Sequence, residues 1–121
     1  MMALALINLS EANIKLGDLD SARRELREGV ALAHRLGTLP WVLVAVTNLA
    51  QLQAAIGLTS RALALLGLVR QHPATSRDIQ RLVDEALAHL HLDPVVVETG
   101  LARGATLNLD TVVAEILAGQ G

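Results

Sequence analysis

Residues 3–37 read ALALINLSEANIKLGDLDSARRELREGVALAHRLG, and the fold is decided there. Leu6, Leu9, Ala12 and Leu16 recur three and four apart, the spacing of one helix face, and Gly17 offers the left-handed residue on which such a helix stops. Asp18 and Asp20 follow at once, and either can accept hydrogen bonds from the free N–H groups of a new helix. In that second helix Ala22, Leu26, Val30 and Ala33 keep helical spacing until Gly37. The stretch therefore predicts two helices joined by a tight turn.

The same signals extend outward. Thr38-Leu39-Pro40 opens a third helix, with Pro40 in the first turn where its missing N–H costs nothing, and Leu43, Val46, Leu49 and Ala50 carry it to Gly57. A fourth helix begins near Thr59 or Ser60 and ends before Pro73. Thr75 with Asp78 three residues on resembles a capping box and starts a helix from about Ser76 to His91. Asp93-Pro94 leads a short helix that fades at Gly100 to Gly104. Asn108 caps the last helix, Leu107 staples onto Val112, and Val113, Ile116 and Leu117 fill its buried face. No segment alternates like a strand, so the expected fold is all-α with about seven helices.

Sliding the chain against itself by 40 residues pairs Ala5 with Ala45, Asn8 with Asn48, Leu9 with Leu49, Gly17 with Gly57, Ala22 with Ala62 and Leu26 with Leu66. The glycines permit the sharp turn, the small alanines let the second helix approach the first, and the leucines fill between them.

Asn8-Leu9, Gly17-Asp18, Ala22, Leu26 and Val30 resemble a tetratricopeptide repeat, with Asn-Leu in the first helix, Gly-Asp at the turn and Ala at the crossing. The second copy keeps Asn48-Leu49, Gly57, Ala62 and Leu66 but has Leu58 where Asp is usual. The aromatic positions of the ordinary repeat are Asn13, Leu19 and Leu26 here, and the longer spacing looks like the variant of the maltose-regulon activator (MalT-like) class. This resemblance implies antiparallel helical hairpins stacked as a right-handed solenoid: a single domain over residues 1–121, with repeats at 3–37 and 38–73 and degenerate capping helices at 75–121. The tail from Gly104 to Leu117 resembles the C-terminal end of bacterial signal-transduction ATPases with helical-repeat sensors and of LuxR-type activators. That likeness implies the closing end of a longer regulator's sensor or assembly arm. Neither a phosphate-binding GxxxxGK[ST] loop nor a DNA-reading helix-turn-helix is present, so those activities do not carry over.

Composition narrows the function classes. Of 121 residues 52% are hydrophobic, yet Trp41 is the single aromatic, and no strand-rich sandwich or barrel is built on such a set. Net charge is −2, and residues 1–60 carry five basic and five acidic side chains, so no basic stripe exists for phosphates and no aromatic platform for bases. Direct nucleic-acid binding is not expected. Cysteine is absent, which removes disulfides, thiol nucleophiles and thiolate metal sites. The longest apolar runs, Met1 to Ile7 and Ala62 to Val69, are far short of a bilayer span, and no basic segment precedes the first as in a signal peptide. The expectation is a cytoplasmic protein without membrane contact.

Candidate chemistry is sparse. His89 and His91 are two apart, about 200 degrees around a helix, so they cannot share a metal. His34 and His72 sit near the ends of second helices, where a partly charged imidazole suits the negative dipole end. Asp84-Glu85 diverge around their helix, and Arg23, Arg24 and Arg27 interleave with Glu25 and Glu28 as a mutually screened face. No catalytic residue, metal or cofactor is expected. The repeat registration instead places Leu4, Ile7, Glu11, Ile14 and Lys15, followed by Val44, Thr47, Gln51 and Ala55, along a concave groove. Repeats of this class that grip a peptide's terminal carboxylate use paired Lys and Asn, where this chain has Ile7 and Glu11. An apolar helix or extended segment of a protein partner is the expected occupant, with a small apolar effector as the alternative and Trp41 as its fluorescent reporter. Leu4 and Leu6 would lack an upstream helix to cover them, which predicts self-association or an upstream domain on that face.

Overall fold

The computed structural model describes residues 2–119. Among them the chain forms seven α-helices, one 3-10 turn and no strand. The helices are α1 (Met2–Leu16), α2 (Leu19–Leu36), α3 (Leu39–Ala55), α4 (Thr59–Gln71), α5 (Arg77–Leu90), α6 (Pro94–Ala102) and α7 (Leu109–Leu117), with the 3-10 turn at Arg103–Thr106. α1 pairs with α2 and α3 with α4 as hairpins; α3 packs against both α1 and α2, and α5 lies against α3 and α4. α6 and the 3-10 turn return to α4, while α7 packs on α2.

The two turns that the 40-residue shift equates close in the same way. Gly17 and Gly57 adopt φ of 84° and 88°, in the left-handed region. The Asp18 N–H donates to the Asn13 carbonyl at 2.9 Å and the Leu58 N–H to the Gln53 carbonyl at 2.8 Å, the six-to-one bond of a Schellman ending. The turns differ in how the next helix starts. Asp18 caps α2 by accepting from the Ser21 N–H at 3.2 Å, whereas Leu58 offers α4 no side-chain cap.

α2 buries the expected face, Ala22, Leu26, Val30 and Ala33. α1 does not. Its buried residues are Ala3, Ile7 and Ser10, and Leu9 and Leu16 of the expected face stand 48% and 80% exposed. The cause is Gly29: with no side chain on α2 there, α1 comes in so close that an added Cβ would lie 2.9 Å from Ile7 Cγ1 and 3.3 Å from the Ala3 carbonyl.

Two local expectations also change. Ser76, not Thr75, caps α5, its Oγ accepting from the Ile79 N–H at 3.2 Å, because the Thr75 hydroxyl turns back to donate to the Val69 carbonyl at the end of α4. α6 ends at Ala102 and passes into the 3-10 turn, so the helix fades between Gly100 and Gly104 as expected, but these two glycines do more than end it. Both are buried against α4, where a Cβ on Gly100 would strike the Leu63 side chain, one on Gly104 the backbone at Gly67 and Leu68, and one on Gly67 the Leu101 carbonyl. The helices cross backbone to backbone because all three positions lack a side chain. At the end of the chain Asn108 caps α7 as expected, and Val112, Val113 and Ile116 are buried, but Leu117 is 39% exposed.

Candidate functional site

α1, α3 and α5 leave a pocket of about 360 Å³ between them. Ile14 from α1, Ala50, Ala54 and Ala55 from α3, Leu66 from α4, and Ala86 and Leu90 from α5 supply apolar wall. Alanines at three positions of α3 keep it open, since larger side chains there would fill it. Glu11, Lys15, Gln51, Glu85 and His89 supply the polar part of the wall.

These polar groups are only loosely committed to one another. Lys15 Nζ lies 3.9 Å from Glu11 Oε1, one helical turn apart and exposed, a pairing that contributes little in water. His89 Nδ1 meets the Glu85 carbonyl at 2.7 Å. A carbonyl only accepts, so Nδ1 carries the proton and Nε2 is the ring nitrogen left to meet a ligand.

Of the residues expected in the groove, the fold brings Glu11, Ile14, Lys15, Gln51 and Ala55 together in this pocket. Ile7 and Thr47 are corrected: both are fully buried. Ile7 is driven into α2 at Gly29, and the Thr47 hydroxyl donates back to the Leu43 carbonyl at 2.9 Å within α3. Leu4 and Val44 are half-buried and form no part of the pocket wall. Trp41 is half-buried against the core and also lies outside the wall, so it does not report directly on the pocket.

The sequence expectation leaves out the α5 contribution. Glu85 and His89 are four apart on one face, alongside Ala86 and Leu90, a spacing that is legible in the sequence. Other polar groups go elsewhere. Glu25 accepts both hydrogen bonds from Asn13 Nδ2, at 2.8 and 2.9 Å, and so ties α2 to α1. His72 Nδ1 accepts a hydrogen bond from the Ala74 N–H at 3.0 Å just past the end of α4. Among the described residues no group of three or more His, Asp or Glu side chains could hold a metal, and no helix is long and apolar enough to cross a membrane.

Among the described residues this geometry defines an all-α fold of seven helices with an apolar-walled, polar-edged pocket between its first, third and fifth helices. No family model, curated protein or solved structure matches the chain.

Proposed function

We propose that the chain is a protein-interaction module, a stack of helical hairpins of the solenoid kind, and that its α1/α3/α5 pocket receives an apolar anchor from a partner helix or extended segment. The observation that carries this reading is the pocket's composition: small and aliphatic walls for a side chain to enter, with Glu11, Lys15, Gln51, Glu85 and His89 placed for the partner's flanking polar groups. The identical turn closures at Gly17 and Gly57 support the hairpin stack. In this reading the module is cytoplasmic, works without catalysis or cofactor, and forms the C-terminal part of the sensor or assembly arm of a bacterial regulatory protein.

A volume of about 360 Å³ also falls within the range of small-molecule sites, so an apolar effector is the competing occupant. Peptide-library selection on the intact chain, followed by chemical-shift mapping, separates the two. The expected result is enrichment of peptides with a large apolar residue, shifts at Ile14, Ala54 and Leu90, and loss of binding in Ala54→Leu, which fills the pocket. Saturable binding of small hydrophobic compounds at the same residues, with no peptide selected, would replace the interaction reading by the sensor one.

A further inference from the structure

The outer face of α1 is apolar and uncovered. Met2, Ala5, Leu9, Ala12 and Leu16 run along it at steps of three and four, all exposed, with Met2 at 65%, Leu9 at 48% and Leu16 at 80%. Leu9 points about 160 degrees away from Ile7, the residue driven into the core. The stripe contains no charge.

The internal repeat shows what such a face is for. Val42, Ala45, Leu49 and Leu52, the counterparts of Met2, Ala5, Leu9 and Ala12, are each exposed by 3% or less in α3, which packs on α1 and α2. Asn48, the counterpart of exposed Asn8, donates to the Ile7 carbonyl of α1 at 2.9 Å. At these four positions α1 leaves open the surface that α3 buries, while Ile56, the counterpart of Leu16, is itself 39% exposed.

The order of side chains along the stripe favours one occupant. Large, small, large, small, large reads the same in both directions about Leu9. An antiparallel second copy related by a two-fold axis would set Leu9 against Leu9, Ala5 near Ala12 and Met2 near Leu16, and the alanine layers would let the two backbones approach. A two-fold interface requires such a self-complementary patch. We infer that the outer face of α1 is a homodimer interface, two copies pairing antiparallel through Met2, Ala5, Leu9, Ala12 and Leu16 about a two-fold axis at Leu9. This surface is separate from the pocket, so failure of the dimer leaves the pocket reading standing; in a longer arm a preceding hairpin is the competing occupant of this face.

The chain has no cysteine, so single introduced thiols report on position. Sedimentation equilibrium of the intact chain should show a monomer–dimer equilibrium, and Leu9→Glu should raise its Kd by roughly tenfold or more while helical circular dichroism is unchanged. Under mild oxidation Leu9→Cys should form a linked dimer roughly tenfold faster than Val95→Cys, an exposed apolar position on α6. A monomer at every concentration up to millimolar, a dimer indifferent to Leu9→Glu, or equal cross-linking at Leu9 and Val95 would each overturn the assignment.

Discussion

Gln53 is 5% exposed, and its Oε1 is buried without a hydrogen-bond partner among the described residues. Its counterpart Asn13 donates through Nδ2 to Glu25, and the counterpart of Glu25 is Leu65, a fully buried leucine that offers no polar partner of either kind. Gln53→Met keeps the shape and removes the orphaned acceptor, so it should raise stability by about 1 kcal/mol, read as a higher denaturant midpoint at unchanged slope. Asp18 is the opposite case, a polar group well served. Hydrogen bonds from the Ser21 side chain and then its backbone hold the carboxyl below the ordinary carboxylate value, with a smaller pull from Arg24. A lowered folded-state pKa means that the stabilisation is present above the unfolded value and lost as pH falls through the folded one. Melting curves from pH 5 to about 2 should therefore show less acid-dependent loss for Asp18→Asn, which retains a capping oxygen, than for the parent chain.

Legibility differed from helix to helix for a physical reason. The apolar face of α2 could be read directly because charged side chains occupy its other faces; in α1 apolar residues stand on several sides, and periodicity alone does not select the one that packs. The selector was Gly29 on the neighbouring helix, a long-range fact. Capping signals are local, and Asp18, Asp93 and Asn108 all act where the sequence placed them. The Thr75 expectation missed by one residue because Ser76 offered an equivalent oxygen. Glycines within helices were the least legible element. Gly67 has the weak helix propensity of any glycine, and at an exposed site replacement by alanine would gain about 1 kcal/mol. Here Gly67→Ala must push α4 away from the Leu101 backbone, and we expect a loss of about 2 kcal/mol or more in equilibrium unfolding, opposite in sign to the propensity effect.

Across the whole molecule α4 is the common support. Residues 62–69 are buried without interruption, with α3, α5, α6 and the 3-10 turn all against that helix. Its central amides should exchange with solvent only through global opening, so their exchange free energies should equal the unfolding free energy, while those near Met2 and Leu117 fall below it. The pocket was half legible at this scale. Registration along α1 and α3 gave Glu11, Ile14, Lys15, Gln51 and Ala55, but the wall from α5 depends on a link whose path the sequence does not state.

The attachment of α7 has a mechanical consequence. Hairpin stacks in which each unit touches only its neighbours bend like springs. α7 packs on α2 and, through the Arg61–Glu115 ion pair, is tied to α4 as well, so it works as a strut across the junction of the two hairpins. Those helices lend the pocket only Leu66, and bracing them holds α1 and α3 at a fixed spread. Under the proposed interaction, a jaw of set gape would select its occupant by width.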